Sequence, residues 1–198
     1  HPVAHSFPTR RSSDLQIVTE VQDQYQNLGQ DEKDWLEPKL HAIADLQERL
    51  NTLFIKCNGE QHCRECAGGC CHAGHNHMTL VNLLQYICRQ QQLPAPDFQQ
   101  SCPFLGAQGC LLPPSRRPYN CISFNCDIIE SCLSAADLKQ FYRIEGELRR
   151  HYLALARRYA GAAMTGLLLQ CGRLQGRSFF YLLPAPMPKD LCHHDIEL

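Results

Sequence analysis

Eleven of the thirteen cysteines lie between Cys57 and Cys132, and that crowding constrains the chain more than any other feature. The thiols come in tight groups, Cys63/Cys66 and Cys70/Cys71, not at the wide intervals of loop closures. The odd cysteine total and the lack of an apolar signal-like core near the first residue argue against a disulfide-stapled secreted framework. Reduced thiolates holding metal in a cytoplasmic protein are the expectation.

The charge balance narrows the classes further. Nineteen basic and twenty acidic side chains give a net charge of −1 and a pI near 6.8. No electrostatic argument then points to nucleic acid or to an anionic membrane as partner. The longest weakly polar stretch, residues 159–169, falls short of the roughly 20 apolar residues a membrane-crossing helix requires.

Five segments are expected. Residues 5–15, HSFPTRRSSDL, resemble the in-frame translation of a short-read sequencing adaptor, so residues 1–15 are set apart from the fold reading. Residues 16–56 form a helical segment, in which Ile17, Val21, Tyr25 and Leu28 recur at helical spacing. After Gly29, with Asp31 as a cap, the stripe Leu36, Leu40, Ile43, Leu46, Leu50 and Leu53 marks a second helix. Pro38 is placed in its first turn and Asn58-Gly59 stops it. Residues 57–132 form the cysteine-cluster domain, with one regular element, a helix over 79–92. Residues 133–175 hold a long helix that opens on the capping pattern Ser134-Ala-Ala-Asp137 and runs to about Gln170. A tail, 176–198, carries a short strand over 178–183 and then Cys192-His193-His194. The fold class expected is mainly α: an irregular, metal-organised cysteine-rich domain flanked by long N- and C-terminal helices that pair and clamp it.

The cysteine-rich segment is poor in periodic apolar residues, and six of the twelve prolines fall between Pro94 and Pro118. Metal ligation can supply the folding free energy that such a segment lacks. The first ligand group is Cys63-Arg-Glu-Cys66-Ala-Gly-Gly-Cys70-Cys71. Two cysteines separated by two residues let one turn present both sulfurs to one ion, as in structural zinc sites and iron–sulfur clusters. Gly68 and Gly69 permit close backbone approach. Side chains of the adjacent Cys70 and Cys71 diverge, which assigns them to different metals or to opposite sides of one polynuclear centre. The second group is Cys102, Cys110, Cys121 and Cys126. Eight sulfurs suffice for two tetrahedral sites, or for one cluster and one zinc.

CxxCxxxCC, then CPFL, a further cysteine and RPxxCxxFxC, is similar to the YkgJ-type cysteine-cluster family, a zinc- or iron-chelating domain. The resemblance spans residues 63–126 and includes all eight cysteines, Arg117-Pro118 and Phe124. The chain departs at Ile122, where the family carries an arginine. The resemblance implies a bacterial metal-chelating domain and names no substrate.

Cys88 is expected as a buried small hydrophobe, Cys57 and Cys132 as core packing or as extra ligands, and Cys171 and Cys192 as peripheral. His62, His72, His75 and His77 are expected beside the metal or at the surface, with His72 the foremost candidate. No dinucleotide loop, phosphate loop, nucleophile elbow or HExxH motif is present, so no catalysis is expected. The expected function is a non-catalytic zinc- or iron-binding module, structural or regulatory, with a protein partner on its flanking helices. The alternatives are an iron–sulfur protein in electron transfer or redox sensing, and a thiol-redox or metal-trafficking protein.

Overall fold

The structure, a computed structural model, describes residues 10–66, 69–71 and 78–184, with side chains from residue 16 onward. The fold is mainly α, with the cysteine-rich region lying between helices as expected. Helix α1 spans Arg10–Gln26 and α2 spans Gln30–Lys56. Gly29, not Asp31, occupies the cap of α2, its carbonyl accepting from the Glu32 and Lys33 N–H groups. Asp31 falls in the first turn, where its charge suits the positive end of the helix dipole. Pro38 sits inside α2 and not in its first turn. It is tolerated there because it faces solvent, where water can satisfy the carbonyl that loses its N–H partner.

Helix α3 spans Gly59–Glu65 and α4 Leu80–Ile87. Strands β1 (Leu105–Gly106) and β2 (Gly109–Cys110) pair antiparallel, Leu105 opposite Cys110. Helices α5 (Tyr119–Ser123) and α6 (Asp127–Cys132) follow, then α7 (Ala135–Arg158) and α8 (Leu167–Leu174). The cysteine-rich segment is therefore more regular than the single helix read from its composition. It also feeds the core: Leu80, Val81, Leu83 and Leu84 of α4 are all buried with the flanking helices. Helix α4 is shorter than 79–92 because the chain turns at Gln90, in the left-handed region at φ 52°, and the Gln91 N–H returns to the Tyr86 carbonyl.

Helices α2 and α7 form the main helical pair. Lys56 at the end of α2 bonds Asp137 at the start of α7, Nζ to Oδ1 at 2.7 Å. At the other end Arg158 Nε donates to Glu32 at 2.9 Å, and the Tyr159 hydroxyl donates to the same carboxylate at 2.5 Å. Ion pairs at both ends, joining opposite termini, make the pair antiparallel. Between them Leu36, Leu40, Ile43 and Leu50 share one core with Phe141, Ile144, Leu148, Tyr152 and Leu155. Ser134 caps α7 as its sequence indicates, Oγ accepting from the Asp137 N–H at 3.1 Å.

The long C-terminal helix is divided. It ends at Arg158, and the chain makes a tight turn at Ala160–Ala162 before α8. The turn's N–H groups leave helical pairing: Ala160 donates to the Tyr181 carbonyl and Gly161 to that of Phe179, both at 2.9 Å. A Cβ at Gly161 would stand 2.6 Å from the Phe179 carbonyl, so only glycine lets the two segments meet. The strand expected over 178–183 reduces to one bridge, Tyr159 with Leu182.

Among the described residues no helix is long and apolar enough to cross a membrane. The helical pair is the load the core carries, and Ile144, with no exposed surface, lies at its centre. Ile144→Ala is expected to lower unfolding free energy by about 2–5 kcal/mol in urea titration, the range for emptying a packed aliphatic site.

Candidate metal centre

The first cysteine group is delivered by a sharp corner. Asn58 adopts the left-handed conformation at φ 50°, and Gly59 packs where a Cβ would run into the Phe54 ring. Helix α3 then carries Cys63 and ends at Cys66, whose Sγ lies 3.4 Å from the Cys63 carbonyl oxygen. The Gly69 N–H closes the next turn on the Cys66 carbonyl at 3.1 Å, and Cys70 and Cys71 follow.

The second group is spread over a hairpin and two short helices. A turn from Cys102 to Leu105 leads into β1, and Gly109 at φ 111° lets the chain reverse so that β2 ends on Cys110. Helix α5 carries Cys121, and Cys126 caps α6, its carbonyl accepting from the Glu130 N–H at 3.0 Å. Strand β2 packs against α3, which joins the two groups at one end of the molecule.

Polar side chains in the helical core anchor this end. Gln47 and Asn82, both without exposed surface, donate to the Arg117 carbonyl at 2.5 and 2.8 Å. Asn82 also donates to the Tyr152 hydroxyl at 3.1 Å and accepts from the Thr79 hydroxyl at 2.6 Å. The Arg117 Nε donates to the Leu112 carbonyl at 3.1 Å. One buried network thus fixes the Arg117-Pro118 corner from which α5 starts. No sequence pattern marked Gln47 or Asn82; a polar residue recurring on an apolar helix face was the available signal.

The thiols report on one another electrostatically. Burial, then the neighbouring thiols of Cys70, Cys66 and Cys126, pushes the Cys63 thiol up to about 11, against a lowering pull from Arg117. Burial and the thiols of Cys70, Cys102 and Cys110 push Cys71 up to about 12. Cys121, an exposed residue, has its thiol raised as well, with Cys110, Cys102 and Cys71 beside it and Arg117 again opposing. Cys66, Cys70 and Cys126 act on Cys63, while Cys102 and Cys110 act on both Cys71 and Cys121. Cys70 bridges the two neighbourhoods, since it acts on Cys63 and is also hydrogen-bonded to Cys71, and the Arg117 guanidinium acts on Cys63 and Cys121.

Neighbouring thiols from both motifs are donor chemistry suited to a thiophilic four-coordinate ion. The sulfurs are neighbours and not yet ligands: among the described residues, no three His, Cys, Asp or Glu side chains are arranged so as to hold an ion.

Other expected residues fall differently. Cys57 and Cys132 form a disulfide with a Cα–Cα distance of 5.7 Å, so neither is a ligand and the expectation of wholly reduced cysteines is corrected. The antiparallel pairing of α2 and α7 brings the two together, since one ends α2 and the other precedes α7. Cys88 is half-buried beside Tyr25, and Cys171 packs at the edge of the core. His62 stands 3.9 Å from Glu65 on the surface of α3. Ile122 is buried in the main core, away from the role an arginine would have there, whereas Phe124 is exposed. Gly68, His72, His75, His77, Cys192, His193 and His194 lie outside the described residues.

Two outcomes test the site's construction. Asn82→Ala removes a donor from the Arg117 carbonyl and from Tyr152, and is expected to cost about 1–3 kcal/mol in denaturant unfolding, the usual penalty for buried groups left unsatisfied. In metal-free protein the folded thiols hold their protons more tightly than unfolded ones. Through Cys63 and Cys71, stability is then expected to be full below pH ~9 and to fall as pH rises through about 11 to about 12, in reductant-free unfolding titrations. A flat alkaline profile would contradict the burial described. No family model, curated protein or solved structure matches the chain.

Proposed function

We propose that the chain is a non-catalytic metal-binding protein that holds zinc or iron in two four-cysteine sites. The first uses Cys63, Cys66, Cys70 and Cys126, and the second Cys71, Cys102, Cys110 and Cys121. The observation that carries this reading is that thiols of the two motifs lie against one another, Cys126 acting on Cys63 and both Cys102 and Cys110 on Cys71, with β2 packed against α3. The similarity of the same eight cysteines' spacing to the YkgJ-type cysteine-cluster domain agrees with it.

A bound ion would cross-link the α3 region to the hairpin and to α5 and α6, supplying stability that the small second core of Tyr86, Phe104 and Leu112 cannot. The protein's own groups do the rest. Arg117, held by Gln47 and Asn82, offsets the negative charge of the thiolates. Thiols with raised pKa values must release protons on ligation, so affinity climbs with pH through the neutral range. The thiols' place between the helices and the hairpin supports a structural or regulatory role.

Metal analysis on protein purified without oxygen tests the proposal. About two ions per chain are expected, the ratio for eight thiolates in four-coordinate sites. Cys126→Ser and Cys110→Ser should each lower the content to about one, because they belong to different sets. Retention of both ions in either variant would overturn the assignment. Zinc without colour identifies a structural or regulatory site, since zinc is redox-inert. Iron with acid-labile sulfide moves the function to electron transfer or redox sensing.

A further inference from the structure

The Cys57–Cys132 disulfide closes a span of 75 residues, and all eight motif cysteines lie inside it. Its place relative to the first thiol set is specific. Cys57 immediately precedes the corner that starts α3, which carries Cys63 and Cys66. Cys132 ends α6, whose cap is Cys126. The bond therefore ties together the two chain segments whose thiols form the first set. In the second set Cys102, Cys110 and Cys121 stand on the hairpin and α5, which are anchored separately through Arg117, and only Cys71 follows α3.

The helical pair does not need this bond. Helices α2 and α7 are joined by their shared core and by the Lys56–Asp137 and Arg158–Glu32 ion pairs. Breaking the disulfide would leave the cysteines near each other and the core packed, while freeing α3 and α6 to move apart. Access is also uneven: Cys132 is exposed, whereas Cys57 is 3% exposed.

We propose that the Cys57–Cys132 disulfide is a redox clasp that sets the metal affinity of the Cys63, Cys66, Cys70 and Cys126 site, opened and closed by exchange with small-molecule thiols. A thiolate attacks the exposed Cys132 Sγ; the S–S bond breaks, and its electron pair leaves on Cys57 Sγ, which takes a proton. A second thiolate attacks the external sulfur of the mixed disulfide, releasing Cys132 as a thiol once protonated. The protein gains two electrons and two protons, and two external thiols become one external disulfide. Opening the clasp removes the preorganisation of the first set and weakens its metal more than that of the second set, three of whose four thiols stand on the separately anchored hairpin and α5. This inference rests on the metal-binding reading above.

The test is zinc binding by the metal-depleted full chain, measured against a chromophoric chelator in buffers of graded reduced and oxidised glutathione. Alkylation and mass spectrometry read the state of every cysteine at each point. One of two zinc equivalents is expected to weaken by about tenfold or more as Cys57 and Cys132 become alkylatable, the scale on which groups that orient ligands affect metal affinity. The double variant Cys57→Ser/Cys132→Ser should bind that equivalent weakly at every glutathione ratio, with helical content retained by circular dichroism. If the double variant does not fold, the glutathione series on the unaltered chain decides alone. Two equivalents of unchanging affinity, or cysteines 57 and 132 alkylatable at every ratio, would overturn the clasp and leave the metal reading standing. No zinc bound in any state would overturn both.

Discussion

The hydrogen bond that Gln47 of α2 donates to the Arg117 carbonyl ties the helical pair to the cysteine-rich segment, and Asn82 of α4 donates to the same carbonyl. On one side lies a helical pair with an ordinary apolar core. On the other lies a proline-rich, cysteine-rich stretch that sends α4 into that core and has only the small cluster of Tyr86, Phe104 and Leu112 besides. A buried amide left without its partner costs more than a made bond contributes, so this junction fixes one position for the Arg117-Pro118 corner. Everything downstream in the segment takes its place from that corner: α5 with Cys121, then α6 with Cys126 at its cap.

The corner also decides where positive charge stands. Arg117 is the cation that pulls against the raised pKa values of both Cys63 and Cys121. Without it the thiols would meet only burial and one another, both of which oppose ionisation. A site built this way favours a divalent ion that replaces protons, because ligation removes the repulsion that the metal-free form avoids by staying protonated. The disulfide between cysteines 57 and 132 sits outside this arrangement and borders it, so cysteine chemistry in the chain divides into a covalent clasp and the thiols it encloses.

Much of the helical frame was legible in the sequence. The stripe from Leu36 to Leu53 and the Ser134 cap led directly to α2 and α7, because amphipathic spacing and a cap are local signals. Local signals failed where distant chain competes. The C-terminal helix stops at Arg158 because Ala160 and Gly161 bond to residues near 180, a partner no window around Gly161 contains. Helix α4 reached the core although its surroundings read as loop, since burial there depends on the helices above it. Spacing singled out the eight thiols, while Cys70 and Cys71, expected to diverge, are hydrogen-bonded to each other. The pairing of Cys57 with Cys132 was not legible, because it follows from the antiparallel approach of α2 and α7 and not from cysteine count.

X-ray absorption at the metal edge of the loaded protein tests the central claim most directly, since it counts ligand atoms by element. The account expects each metal to be surrounded by sulfur, four per ion for zinc at about 2.3 Å, with no nitrogen or oxygen shell. A first shell containing histidine nitrogen or water oxygen would contradict the division of eight thiols into two complete sets of four.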